Sequence, residues 1–288
     1  MYKILISCTV LSTVRSLPAK LLSTVVSHTS NITPLSSMST TITSTIDTIK
    51  LYNETTLKLK EITALEGISG LLGWDEMVML PSESNDCRGN QKSALAGVIY
   101  DKKTNIELGE SLKILKEKYH DLNDVQSANV RDAYKEYIRS VAIPKELAQR
   151  IAILETKAYE AWVDARKTST FDKFAPFLQD WVDVNCERAA YIDKTKPAYD
   201  VLLDMYEKGM STERLNEIFV EVRNGLVPLI NELKTKGTKP ESDWLKGDYD
   251  TDIQAKLCRQ IALDLGFDIQ KGRLDVSVHP FTGLLSNS

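Results

Sequence analysis

From Asp47 to Leu265 the apolar residues of this chain recur at three- and four-residue steps, with almost no alternating stretch among them. That period presents one apolar stripe per helix, and such stripes are buried only against other helices. Ile49, Tyr52, Leu59, Ile62, Leu65, Ile68 and Leu72 give a first helix capped by Asp47. Leu80-Pro81-Ser82 breaks the pattern, and Gln91 to Tyr100 resumes it. Asp124 is the predicted cap for Val125 to Val141, and Pro144 stands where a following helix tolerates a missing N–H. That helix carries Ile151, Leu154, Ala158, Ala161, Trp162 and Ala165 on one face. Thr170 opens an element running from Phe171 to Glu207, which Pro197 should interrupt near Lys196 and Gly209 should end. Ser211 caps the next helix, and Lys234 to Asp250 is the clearest loop. Thr251 to Gln254 has the pattern of a capping box, before Ile253, Leu257, Ile261 and Leu265 and a helix end at Gly266. The fold class predicted is mostly α, a multi-helix scaffold with one short strand near the C-terminus. That strand is Leu274 to Val278, and it needs sheet partners that the sequence does not show.

The first 46 residues have a different chemistry. They hold no Asp or Glu, abundant Ser and Thr, and only Lys3, Arg15 and Lys20 as charges. This reads as a targeting leader over 1–46, with import into a mitochondrion or plastid as the expectation. Ile4 to Val14 also fits the apolar part of a secretory signal, and Met38 would give a cytoplasmic start. The helical part is assigned to 47–282, and 283–288 form a divergent tail. No stretch is long and apolar enough to span a bilayer, so no membrane partner is expected. A formal net charge of −4 excludes the basic footprint of nucleic-acid binding. Cys8, Cys87, Cys186 and Cys258 are too dispersed for a disulfide framework or a cysteine zinc site.

The chemistry-bearing residues are few. A hydrolytic zinc site uses two His one helical turn apart and a third ligand, whereas the histidines here are His28, His120 and His279. No His-Glu-x-x-His, no Gly-x-Ser-x-Gly and no phosphate-cradling glycine loop occurs. Asp75 and Glu76 cannot share a helix face, and a solvated helix end with a packed Trp74 is the reading preferred for them. Arg131, Arg139, Arg150, Arg166 and Arg188 read as scattered surface and ion-pair residues. His279-Pro280-Phe281 stands apart, because Pro280 holds His279 in extended backbone.

Several segments together resemble a known family. They are Trp74-Asp75 through Met79-Leu80-Pro81 with Arg88 and Gln91, then Ile143 to Leu147, Ala161 to Arg166, Phe171 to Asp180 and Tyr199 to Met210. The last are Leu265 to Asp268, Gly272-Arg273-Leu274-Asp275 and His279-Pro280-Phe281-Thr282. In this order, from about Lys50 to Thr282, they resemble the N-terminal half of the carboxypeptidase Taq family of metallocarboxypeptidases. The resemblance implies an almost wholly helical and commonly homodimeric enzyme that releases C-terminal residues from peptide substrates. It implies zinc or cobalt, which polarises the scissile carbonyl and activates water, with the Glu of His-Glu-x-x-His as base. In the family His-Pro-Phe is followed by Asp-x-Arg-x-Thr in a small sheet lining the cleft, and the metal motif comes later. Gly283 to Ser288 does not contain Asp-x-Arg-x-Thr. The expectation is therefore a chain that stops before the metal site and is inactive as written. No catalytic residue and no metal ligand carries over. His279, Pro280 and Phe281 carry over only as residues that shape the substrate cleft. The alternative expectation is a helical interaction module that associates with, or regulates, a full-length homodimeric carboxypeptidase.

Overall fold

A computed structural model describes residues 47–281. The leader 1–46 with His28 and Cys8, and Thr282 with the tail 283–288, lie outside the described residues. The helices are α1 (Thr48–Val78), α2 (Asn85–Lys103), α3 (Ile106–Glu117), α4 (Asp124–Ala142) and α5 (Lys145–Thr168). They continue with α6 (Ala175–Asp193), α7 (Ala198–Leu203), α8 (Thr212–Lys236) and α9 (Thr251–Asp264).

Local chemistry sets most of these ends. The Asp47 carboxylate accepts from the N–H groups of Ile49 and Lys50, so two orphan donors of α1 are satisfied. At α4 the cap is Asn123 rather than Asp124, because Asn123 and Gln126 form a reciprocal capping box and Asp124 is already helical. Likewise Asp250 caps α9 and Thr251 is its first residue. The carboxylate reaches two N–H groups there. Residues 194–197 separate α6 from α7, as the Pro197 break predicts. The loop after α8 begins only at Gly237, since the helix runs on through Lys236. Gly266 ends α9 at φ +87°, a left-handed conformation that glycine adopts without a Cβ clash.

The body is a layered helical packing in which α2 lies between α1 and α5, its most extensive partner. One core joins Ile143, Leu147, Leu154, Ala158 and Val184, with Ile151, Phe174, Phe177 and Trp181 packed against it. A second joins Ile62, Leu108 and Leu112, flanked by Leu59, Tyr134 and Tyr137. The α5 stripe therefore faces as its period requires, with Leu154, Ala158 and Ala165 buried. The segment Asp204 to Gly209 is pinned onto α4. Asp204 pairs with Lys135 and Arg139 and accepts from the Gly209 N–H, while Lys208 pairs with Asp132.

The predicted strand does not form. Among the described residues no strand or sheet occurs, and within Leu274 to Val278 there is a single bridge residue, Val276, with a bend at Val278. The alternation is a real property of the sequence, but a strand needs a neighbour for its backbone groups. Side-chain tethers hold this segment instead. α8 is the other departure from close packing, since none of its residues is buried.

Candidate functional site

The residues around Trp74 form a clamp and not a solvated helix end. Arg88 on α2 is buried and donates to the Leu72 carbonyl at 2.7 Å, to Asp75 at 2.6 Å and to Gln91 at 3.0 Å. One guanidinium thereby closes off the last turns of α1 against the start of α2. Glu76 points elsewhere, as adjacent helical residues must. It is buried, and Lys92 donates to it at 2.9 Å and also pairs with Glu155 on α5 at 2.9 Å. Lys92 of α2 thus ties the buried Glu76 of α1 to the exposed Glu155 of α5. Burial, and then the charge of Glu76, push the Tyr159 phenol of α5 up from its ordinary value.

This frame receives the C-terminal segment at two points. On α1, the Trp74 indole donates to the Asp275 carboxylate at 3.0 Å. Arg273 donates to the same carboxylate at 2.9 and 3.2 Å and lies 5.0 Å over the Trp74 ring. The Arg273 hydrogen bond holds the Asp275 carboxyl below the usual carboxylate range. Partial burial opposes that shift, and the Trp74 bond adds to it. On α5, Arg166 donates to the Val278 carbonyl at 3.1 Å while its guanidinium lies 5.2 Å over the Trp162 ring. Trp162 meets the His279 imidazole edge-on, with centroids 5.5 Å apart and planes at 74°. Tyr159 stacks on Trp162 with ring centroids 6.0 Å apart.

Gly272 makes this route available. A Cβ there would stand 2.4 Å from the Phe267 ring, which is itself buried under the turn after α9. The chain therefore turns tightly beneath Phe267 before it reaches Asp275. Within the segment, the Ser277 hydroxyl donates to the His279 carbonyl at 2.7 Å.

Of the three residues predicted to shape a cleft, His279 is exposed and packed against Trp162, while Pro280 and Phe281 are half-buried beside it. The described residues do not fit a catalytic zinc or cobalt. His279 has an aromatic ring and a guanidinium-held carbonyl as neighbours, neither of which joins it as a ligand set. His120 meets Asp121 at 3.2 Å on an exposed turn away from this segment. Among the described residues no group of three His, Cys, Asp or Glu converges as a metal centre. The arrangement can instead present an exposed imidazole and a flanking aromatic row to a ligand, held from below by α1 and α5. Sequence reasoning missed Arg166 and Arg273 as the holding residues. The Trp162/Arg166 pair at i,i+4 is a local signal for the first, whereas Trp74 and Asp275 are far apart in the chain.

The family described as "Carboxypeptidase Taq (M32) metallopeptidase" matches residues 54–288. Carboxypeptidase 1 of Bacillus subtilis (strain 168) is 29% identical over 228 residues, covering 79% of this chain and 46% of the relative. Thermostable carboxypeptidase 1 of Thermus thermophilus is 30% identical over 234 residues, covering 77% and 46% respectively. Among solved structures, the BsuCP crystal structure superposes with a TM-score of 0.76 at 28% identity, over 82% of this chain and 48% of that one. The M32 carboxypeptidase from Deinococcus radiodurans R1 gives 0.66 at 27% identity, over 82% and 47%. The chain thus spans about half the length of the relatives it matches. With both the sequence match and the helical frame in agreement, this chain belongs to the carboxypeptidase Taq (M32) metallopeptidase family.

Proposed function

We propose that this chain supplies the scaffold and one substrate-cleft edge of a zinc- or cobalt-dependent carboxypeptidase that releases C-terminal residues from peptides, and that these residues alone do not hydrolyse them. The observation that carries the reading is the double anchoring of the 273–281 segment. Trp74 and Arg273 fix Asp275, and Arg166 and Trp162 fix Val278 and His279. Two independent tethers on two helices give the fixed geometry that a substrate-positioning element needs. Equilibrium dialysis of the purified chain against zinc or cobalt tests the second part. The expected result is no tightly held stoichiometric ion, and one ion retained per chain against buffer would overturn it.

The leader is proposed to direct import into an organelle, on its lack of acidic residues and wealth of hydroxyls. Fusing residues 1–46 to a fluorescent protein should give mitochondrial or plastid fluorescence. A diffuse cytoplasmic signal, or a secreted product, would contradict it.

A second reading is favoured by the uncovered apolar face of α8. On this reading the chain is an interaction module that associates with, or regulates, a full-length homodimeric carboxypeptidase. Co-elution of the two on size exclusion is the expected result, and separate elution at micromolar concentration counts against it.

A further inference from the structure

Arg188 is the only basic residue of α6, and it lies on the core-facing stripe of that helix, one turn from Val184 and one from Ile192. Its Nε–H is buried, yet among the described residues it has no hydrogen-bond acceptor, and the guanidinium forms no ion pair. A buried donor without an acceptor carries its full desolvation penalty. Burial also pushes the Arg188 guanidinium down from its ordinary value. The Glu136 carboxylate and Tyr206 oppose that shift, and the like charge of Arg139 adds to it. The carboxylates around Arg188 are already taken. Glu136 pairs with Lys103 of α2. Asp204 is shared by Lys135 and Arg139, and Asp132 by Arg131 and Lys208. Asp132 and Asp204 thus each serve two cations. Positive charge is left over along α4 and the 204–209 segment, in a chain whose formal net charge is −4.

We infer that Arg188 and Arg139 form the floor of an anion site, at the junction of α4, α6 and the 204–209 segment, which takes a phosphate group as the free ion or as a small monoester. Arg139 uses only Nη2 on Asp204, which leaves its Nη1 and Nε free of described partners. Its side chain is 16% exposed, whereas Tyr206 is 83% exposed and offers a phenol hydroxyl at the rim. Two guanidiniums from different helices suit a tetrahedral group, whose free oxygens accept from both forks. A planar carboxylate is filled by one fork. The phosphate charge, about two at neutral pH, also matches the surplus that the shared carboxylates leave. The arginines that look alike in sequence therefore differ. Arg150 pairs with Glu187 and Arg166 holds the Val278 carbonyl, but Arg188 is set into the body without a counter-charge of its own.

The test is isothermal titration of the purified full chain with sodium phosphate, and separately with phenyl phosphate, against sodium chloride at matched ionic strength. The expected result is one site per chain with a dissociation constant of about 1 mM or tighter. Phosphate should also raise the melting temperature where chloride does not. Arg188→Met keeps an apolar stem and removes the fork. It should bind at least about tenfold more weakly, and without phosphate it should melt no lower than the parent, since an unpaired buried donor has gone. Arg188→Lys keeps the charge but not the Nε–H, and should also lose about tenfold. Arg223→Met removes an exposed cation of α8 and should bind within about twofold of the parent. Saturable binding of either ligand supports the site, and the tighter of the two tells a free ion from an ester. Several results would overturn it: no saturable binding of either ligand, binding indifferent to both Arg188 substitutions, or an equal melting rise with chloride. A marked loss of stability in phosphate-free Arg188→Met would do so too, because the guanidinium would then have a partner within the protein. Binding and melting are read, not turnover, so the outcome is independent of the cleft-edge reading.

Discussion

The Trp74 indole donates to the Asp275 carboxylate at 3.0 Å across 201 positions of sequence, and it joins the first helix of the body to the last described segment. Arg273 completes the contact by pairing with Asp275 and covering the Trp74 ring. The segment that carries His279 is therefore tied to the last turns of α1, while His279 itself packs against Trp162 of α5.

Replacing Trp74 by Phe keeps the ring and removes the donor, leaving a partly buried carboxylate oxygen with one partner fewer. The loss should be about 1–2 kcal/mol, on the scale of a hydrogen bond to a charged acceptor. It should fall on the local stability of residues 273–281 rather than on the global melt. Amide exchange in that segment should quicken by about tenfold in Trp74→Phe while α2 and α5 are unchanged.

The pairing of Lys92 with Glu76 should dominate the core electrostatics. Lys92→Met strands a buried carboxylate, for which about 3–5 kcal/mol of destabilisation is expected. Adding Glu76→Gln to Lys92→Met should recover most of that loss, because the stranded charge is gone. Urea denaturation of the single and double variants checks both statements, and a Lys92→Met chain as stable as the parent contradicts them.

Acid should release the Asp204 to Gly209 segment from α4. Burial alone would raise the Asp204 carboxyl, but the Lys135 and Gly209 hydrogen bonds and the Lys135 and Arg139 charges outweigh it and bring it down to about 2. For Asp132 the hydrogen bonds from Arg131 and Lys208 do the same, again to about 2. A depressed carboxyl adds stability above its unfolded value, near 4, and loses it as pH falls through the folded value. The contribution should thus be whole at pH 5 and decay between about pH 4 and pH 2. Both carboxylates are partly exposed, so solvent screening keeps the size modest. Amide protection at residues 204–209, relative to the rest of the chain, should fall in the parent between about pH 4 and pH 2, whereas Asp204→Asn should be weakly protected already at about pH 5 and change little over this window.

Much of this architecture is legible in the sequence, and what is not has a physical reason. The α5 period picked out Leu154, Ala158 and Ala165, and all three are buried, since a stripe on a central helix has nowhere else to go. The caps at Asn123 and Asp250 were each misplaced by one residue, because neighbouring residues can all accept from the same N–H groups and geometry alone selects one. The alternation at Leu274 to Val278 was visible, but a strand is a property of two segments and only one is described. Glu76 read as solvated because nothing local reveals Lys92 on the next helix. In the same way, Arg166 shows its aromatic neighbour at i,i+4 but not the Val278 carbonyl it holds. Motif resemblance singled out His279, Pro280 and Phe281, and the tethers that hold their segment came only from packing.

What we propose is a substrate-cleft edge that does not by itself hydrolyse peptides. It is tested most directly by incubating the purified full chain with a short peptide and added zinc or cobalt, and measuring the C-terminal residue released. The account predicts the same release as in the metal-free, chelator-treated control. Metal-dependent turnover above that control, abolished by His279→Ala, would contradict it.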